Sequence, residues 1–236
     1  MKALRWSFFV LVGVLLLIGV AGFARQRQLD AVEWGVCGKH RFPCIKGVAE
    51  NGVPWRLGYV AVRGELSFFG GMGRSFDGAV ASALRHFPES KRLVVVLSPG
   101  GSTNAAVRAA KLLNRHGVAV RIEGDCASAC ALLWALADSR QSMPKARIGL
   151  HAGRPGERMP AWLYGVAEKR NRERFEIALR NAGFPQDAIA HGLAMAHDRI
   201  DWIDATTMRR IGVKFDWVEP VGVSRPGSDP PPAPQS

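Results

Sequence analysis

Arg92-Leu-Val-Val-Val-Leu-Ser-Pro-Gly-Gly-Ser102 is the stretch that decides the fold of this chain. Its first six residues form a nearly unbroken apolar, β-branched run, which is typical of a central strand buried on both faces of a parallel sheet. The Pro-Gly-Gly turn permits positive φ and lets backbone N–H groups point into a cleft. A segment with alanine and leucine at helical spacing follows as far as Arg115. The stretch therefore predicts one strand–turn–helix unit.

Strand and helix patterns continue to alternate after this unit. A strand over 118–122, a small apolar helix over 127–137 and a strand over 146–150 follow it. Such alternation indicates βαβ units, so we predict an α/β domain with a mainly parallel sheet. The predicted parts of the chain are an N-terminal anchor or signal segment (1–24), an irregular stem (25–54), the α/β domain (55–219) and a proline-rich disordered tail (220–236).

The N-terminus predicts export from the cytoplasm. The basic residues Lys2 and Arg5 precede Trp6–Phe23, a run of 18 residues without a charge. This length favours an uncleaved membrane anchor over the shorter core of a signal peptide. Gly22 and Ala24 are small residues at an alternative cleavage site, and cleavage there would release a soluble form. Both alternatives place the domain in the periplasm or another extracytoplasmic space.

The four cysteines of the chain fit an oxidising compartment. Cys37 and Cys44 enclose a short loop and are predicted to form a disulfide. Cys126 and Cys130 flank Ser128, and they either pair with each other, if the chain bends there, or are small buried residues. A disulfide at that place would be able to gate Ser128 by locking its loop. The chain has no complete set of zinc ligands at the usual spacing, and no metal site is predicted.

The net charge of +12 would suit an anionic partner, either a nucleic acid or an anionic membrane surface. The basic residues are spread along the chain, and no zinc-finger or aromatic RNA-binding motif accompanies them. We therefore expect no nucleic-acid partner. Contact with a membrane is expected through the N-terminal segment.

Ser128 and His151 are the candidate catalytic residues. Ser128 follows a strand and the turn at Gly124, at the predicted start of a helix, where free backbone N–H groups can hold an oxyanion beside an attacking serine. The alternative role of such a serine is to cap the helix. His151 ends a strand of the predicted parallel sheet, where an imidazole can act as general base for a serine. Its alternative role is a hydrogen bond to the backbone.

Three segments resemble the proteolytic subunit of the Clp protease, within the ClpP/crotonase superfamily. They are Leu97-Ser-Pro-Gly-Gly-Ser102, Gly124-x-x-Ala-Ser128-Ala129 and Ile148-x-x-His151, in the family's order. The resemblance covers the domain from about Trp55 to Val218 and implies a ClpP/crotonase-like fold with repeated ββα and βαβ units. It also implies a self-associating protein that needs no cofactor.

The resemblance assigns roles to the candidate residues. It implies that Ser128 is the nucleophile and that His151 is the general base. It further implies an oxyanion hole made by the backbone N–H groups of Ala129 and of Gly100 or Gly101.

The third catalytic residue departs from the family's pattern. The family has an Asp-x-aromatic segment, and with Trp202 in the aromatic place the aspartate would fall on Ile200. We take Asp198 as the first candidate and Asp201 as the second, since a small bulge could turn either side chain to the expected face. The alternative, non-catalytic roles of these aspartates are helix capping and surface charge. A Ser–His dyad without a carboxylate, or a site that no longer works, would also fit this sequence.

Together these residues predict an exported hydrolase of the serine-protease type. Its expected substrates are peptides, unfolded chains or segments of membrane proteins, and it is expected to form homo-oligomers. One alternative is a catalytically inactive binding or scaffold protein on the same fold, because a fold does not dictate a function. A crotonase-type enzyme that acts on an acyl thioester is a third possibility.

Overall fold

The computed structural model describes residues 35–37, 42–153, 161–196 and 198–219, and strands alternate with helices over most of these ranges. The strands are β1 (Gly35–Cys37), β2 (Phe42–Val48), β3 (Pro54–Val60), β4 (Glu65–Gly70), β5 (Arg92–Leu97), β6 (Ala119–Ile122), β7 (Asp125–Ala127), β8 (Arg140–Ser142), β9 (Arg147–Leu150), β10 (Asp201–Asp204) and β11 (Asp216–Trp217). The helices are α1 (Phe76–His86), α2 (Thr103–Arg115), α3 (Ala129–Ala135), α4 (Ala161–Ala182), α5 (Gln186–Ala194) and α6 (Ala205–Arg210).

The strands form two sheets. Eight of them lie in the order β1-β2-β3-β4-β5-β6-β8-β11, and three lie in the order β10-β9-β7. From β1 to β4 the large sheet is an antiparallel meander, and from β4 to β11 each neighbouring pair is parallel. Helix α1 connects β4 to β5 and α2 connects β5 to β6, as parallel strands require. The predicted α/β class and the predominance of parallel pairing are confirmed.

Strand β5 carries the centre of the core but is not buried along its whole length. Leu93 and Val95 are fully buried in the main hydrophobic cluster. Val96 and Leu97 are 40% and 42% exposed, so the predicted burial of both faces is wrong at the carboxyl end of the strand. Side chains alternate between faces, and the second face of the strand combines apolar and charged groups. There the buried Glu65 of β4 pairs with one arginine of β5 itself and with one of β6.

The segment predicted as an irregular stem, 25–54, contributes to the large sheet. Strand β2 pairs antiparallel with β3 from Cys44 to Val48, and Ile45 joins the core with 3% exposure. Proline and glycine obscure any strand period in this segment, and the strand forms because β3 offers a backbone edge to pair with. The α/β domain therefore begins before residue 55.

A membrane-spanning segment is not found in the described part of the chain. None of the helices given above is both long enough and apolar enough to cross a lipid bilayer. The prediction of a transmembrane protein, anchored with its domain in an extracytoplasmic space, is therefore wrong for the described residues. The run Trp6–Phe23 behind that prediction, the N-terminal segment 1–24 and the tail 220–236 lie outside the described residues.

Trp134 anchors α3 in the core. Its side chain is fully buried, and its indole N–H donates to the carbonyl oxygen of Gln141 at 2.9 Å. Its ring lies 5.8 Å from that of Phe215 in a tilted arrangement, which is a favourable geometry for an aromatic pair. The helix that follows Ser128 is thus fixed to both the sheet and the C-terminal segment.

We expect Trp134→Ala to lower the free energy of unfolding by about 3–5 kcal/mol, because it removes a large buried ring and leaves a cavity. Val62 is 93% exposed and provides the control, since Val62→Ala should change that free energy by less than about 0.5 kcal/mol. Urea denaturation followed by circular dichroism measures both. Equal midpoints for the two variants would contradict the anchoring role of Trp134.

Candidate active site

Ser128 and His151 lie at the same edge of the small sheet. Ser128 directly follows β7, and His151 directly follows β9. These strands are parallel neighbours in which Ala127 pairs with Gly149. The backbone N–H of Ser128 donates to the carbonyl oxygen of Gly149 at 2.9 Å. The two residues predicted from the sequence therefore stand on adjacent strands at the carboxyl edge, where ligands of parallel sheets bind.

Ser128 has an unusual backbone conformation for a residue with a side chain. Its φ is 54° and its ψ is −123°, and within the described ranges it is the only non-glycine residue with positive φ. Such a conformation costs on the order of 1–3 kcal/mol and persists only where the surroundings over-determine it. The half-buried side chain makes no capping hydrogen bond to α3. Ser128 is thus the N-cap residue of α3 by position, but its hydroxyl does not cap the helix.

We call the sharp turn from β7 to α3 at Ser128 the elbow. The predicted glycine turn packs directly against it. The hydroxyl of the buried Ser98 donates to the carbonyl oxygen of Gly70 at 2.8 Å and accepts from the N–H of Gly100 at 3.2 Å. Gly100 has φ of 89°, and a Cβ atom on it would lie 2.7 Å from Cβ of Ser128 and 2.8 Å from N of Ala129. The N–H of Gly100 is engaged by Ser98, so it is not free to hold an oxyanion.

The other two predicted donors, Gly101 and Ala129, keep backbone N–H groups without a protein acceptor among the described residues. Met72 donates to the carbonyl of Gly100 and accepts from the N–H of Ser102, both at 2.7 Å. In a parallel bridge of this kind the N–H of the intervening Gly101 points away from Met72. Ala129 is the first residue of α3, and the first N–H groups of a helix lack intrahelical acceptors. The structure thus narrows the three predicted donors to Gly101 and Ala129.

His151 is half-buried, and its ring is oriented by the backbone. Its Nδ1 atom lies 2.7 Å from the carbonyl oxygen of Ala152. A carbonyl can only accept, so Nδ1 carries the proton and Nε2 is left as the acceptor. Both residues are described by the structure, and no hydrogen bond joins His151 to Ser128. Catalytic hydrogen bonds are often longer in a resting state and tighten when substrate binds.

The structure does not bring either predicted aspartate to His151. Asp198 is exposed in a turn before β10. Asp201 begins β10 and pairs with Leu150, so continuing this antiparallel register by one residue places Ile200 opposite His151. The side chain of Asp201 consequently belongs to the other face of the strand pair. An apolar residue therefore occupies the place where a catalytic carboxylate was expected.

An ion pair that the sequence did not reveal ties together the two strands of the site. Arg147 donates to both carboxylate oxygens of Asp125, at 2.8 and 2.7 Å. These residues face each other across β9 and β7. Hydrogen bonding to Asp125 raises the pKa of the Arg147 guanidinium. The sequence could not predict this ion pair, because it depends on the register between β7 and β9, which no local pattern specifies.

Three of the cysteines are in disulfides. Cys126 and Cys130 are bonded to each other, with 5.2 Å between their Cα atoms. Cys44 is also disulfide-bonded, and the side chain of Cys37, its predicted partner, lies outside the described residues. Within the part of the chain that the structure describes, no group of three or more His, Cys, Asp or Glu side chains is arranged to hold a metal ion.

Comparisons with known proteins bear on the fold and not on the activity. No protein-family model matches the chain, and no curated protein matches it. A solved structure described as the crystal structure of an enzyme has a TM-score of 0.52 and 12% sequence identity, and the match covers 67% of this chain and 97% of that one. A likeness at this identity shows the fold alone. The comparisons name neither a hydrolase nor a serine protease, and those predictions have no support from them.

Gly100→Ala tests the close approach of the glycine turn to the elbow. Gly117 is a matched control because it also has positive φ, 63°, but a Cβ atom there would meet open space. We expect Gly117→Ala to destabilise the fold by about 1–2 kcal/mol for the left-handed backbone alone. Gly100→Ala should add about 1–3 kcal/mol from the collision with backbone atoms. Urea denaturation of both variants checks this, and equal losses would contradict the packing described for Gly100.

Proposed function

We propose that this protein is a ClpP-like serine hydrolase of the ClpP/crotonase superfamily that acts as a peptidase. The observation that carries the proposal is the strained elbow at Ser128. A glycine would adopt this conformation without steric cost, so the presence of serine points to a use for its hydroxyl. Strain of this kind concentrates at active sites, and a serine on a sharp strand-to-helix turn presents its Oγ atom to substrate.

In the proposed reaction, the Ser128 hydroxyl attacks the carbonyl carbon of a peptide bond. Its proton passes to Nε2 of His151, which the hydrogen bond from Nδ1 to Ala152 leaves as the acceptor. The resulting imidazolium gives this proton to the leaving amine as the C–N bond breaks. Water then attacks the acyl-serine with His151 as base, which releases the acid and restores the hydroxyl.

The negative charge of the tetrahedral intermediate needs hydrogen-bond donors. The amides of Gly101 and Ala129 are the proposed donors, since the N–H of Gly100 is engaged by the Ser98 hydroxyl. Backbone donors fixed in advance stabilise a developing oxyanion without reorganising during the reaction. The contact of Gly100 with the elbow keeps the glycine turn and the serine in one rigid unit.

The proposed base has a backbone carbonyl as its partner, where a full Ser-His-Asp triad has a carboxylate. The carbonyl of Ala152 fixes the tautomer of His151, but a neutral carbonyl stabilises an imidazolium less than a carboxylate does. A Ser–His dyad is therefore the proposed catalytic unit, and slow turnover is expected. Peptides or unfolded segments remain the proposed substrates, and a homo-oligomer remains the proposed assembly.

The second candidate function is a non-catalytic binding or scaffold protein on the same fold. Two observations favour it: the absence of a hydrogen bond between Ser128 and His151 within the described chain, and the position of Ile200 where a carboxylate would stand. Such a protein would bind peptides at the same edge of the small sheet without cleaving them. Reactivity of the serine separates the two candidates.

Labelling by a fluorophosphonate tests the nucleophile. We expect the wild type to be labelled at Ser128, with no labelling in Ser128→Ala. His151→Ala should slow labelling by about 100-fold or more, since general-base catalysis contributes about 10²–10⁴-fold. Mass spectrometry of the labelled peptide and the rate of adduct formation are the measurements.

The matched controls for this labelling are the exposed Ser139 and His191. Ser139→Ala and His191→Ala should both be labelled at the wild-type rate. Absence of an adduct in the wild type, or an adduct that persists in Ser128→Ala, would rule out the hydrolase and favour the scaffold.

Ile200→Asp tests the missing carboxylate. Placed opposite His151, an aspartate should orient and stabilise the imidazolium, and we expect the labelling rate to rise at least about 10-fold. Ile200→Asn is the control because it has the same shape without the charge. If the two variants react at the same rate, the position opposite His151 is not the carboxylate position of this site.

A further inference from the structure

The disulfide between Cys126 and Cys130 closes a small ring in which Ser128 is the middle residue. Cys126 is the middle residue of β7, and Cys130 is the second residue of α3. The bond between them therefore joins the strand to the helix across the elbow. Ser128, with its positive φ, is the midpoint of the chain that the bond encloses.

The ring requires a compact turn of the chain around the serine. The Cα atoms of Cys126 and Cys130 are 5.2 Å apart, whereas four residues of extended chain span about 13–14 Å. The three intervening residues must therefore fold back between a strand and a helix. Hydrogen bonds on both sides of Ser128 select the elbow, because its N–H donates to Gly149 and its carbonyl accepts from Leu132.

Burial separates this disulfide from the substrate side of the elbow. Cys126 and Cys130 are both 0% exposed and belong to the main hydrophobic cluster, while Ser128 is half-buried. The sulfur atoms therefore contact the core and not the cleft. A reductant would reach them only after local opening, which argues against rapid gating of Ser128 by redox changes in the folded protein.

We infer that the Cys126–Cys130 disulfide is a permanent positioning element that holds Ser128 in its reactive conformation. The inference rests on the proposed function, in which Ser128 is the nucleophile. A reacting atom must be held close to its productive geometry by groups that are themselves locked in place. Without the covalent ring, the packing of Gly100 and the hydrogen bonds of Ser128 remain, but one constraint on the strained φ is lost. The backbone then relaxes toward negative φ for a larger share of the time, and the hydroxyl leaves its position beside the glycine turn.

The test compares Cys126→Ala/Cys130→Ala with the wild type in the full chain. Fluorophosphonate labelling should show a maximal rate at least about 10-fold lower, with the probe concentration for half-maximal rate unchanged. Hydrogen exchange of the peptide over 124–132 should become faster. Cys37→Ala/Cys44→Ala is the matched control, because it removes the other cysteines and should leave labelling and exchange at wild-type values.

Refolding covers the case in which the double variant does not fold. The Cys37→Ala/Cys44→Ala variant, reduced in denaturant and refolded with dithiothreitol, should label slowly. Removal of the dithiothreitol and addition of oxidised glutathione should restore the rate, as the thiols of Cys126 and Cys130 become a disulfide and glutathione disulfide becomes two glutathione thiols. Failure of reoxidation to restore the rate would overturn the inference.

Two results separate the inference from the proposed function. If the double variant labels at the wild-type rate, or if exchange over 124–132 is unchanged, the positioning role is wrong while the nucleophile stands. If the wild type is not labelled and exchange still rises in the double variant, the proposed function fails. The disulfide is then only a structural brace, and the inference fails with it.

Discussion

The parallel pairing of β7 with β9 is the interaction on which the candidate site depends. The ladder between the strands is extended by the bond from the N–H of Ser128 to Gly149 and is braced at its other end by Asp125 and Arg147. Because the strands run in the same direction, the residues that directly follow them appear at one edge. A slip of one residue in this register would turn His151 to the other face and remove it from the site.

Glycines at two positions allow neighbouring segments to approach the elbow more closely than a side chain would permit. A Cβ atom on Gly149 would lie 2.7 Å from a methyl carbon of Ile200 and 3.0 Å from Cβ of Ala127. A Cβ atom on Gly100 would collide with Ser128 from the other side. Close packing of this kind leaves little room for a different backbone conformation, and that is the condition under which a strained φ persists.

The hydrogen-bond partner of His151 is a backbone carbonyl, where a Ser-His-Asp triad has a carboxylate. The carbonyl of Ala152 orients the ring, and Ile200 stands at the position opposite it in the continued register. A carbonyl dipole can hold a tautomer, but it offers less than a full negative charge to an imidazolium formed during the reaction. In the proposed reaction, the imidazolium formed at His151 is therefore stabilised by a carbonyl dipole in place of a carboxylate.

Local chemistry in the sequence determined the parts of this protein that depend on neighbouring residues. The run Arg92–Leu97, the glycine turn after it and the positions of Ser128 and His151 were predictable, because strand burial, turn formation and helical spacing act over a few residues. Only the tertiary structure decided that β2 joins the sheet from a segment predicted to be irregular, and that the strand pairing places Ile200 opposite His151. Strand pairing and register bring together residues far apart in the chain, and no local pattern specifies which residues will face each other.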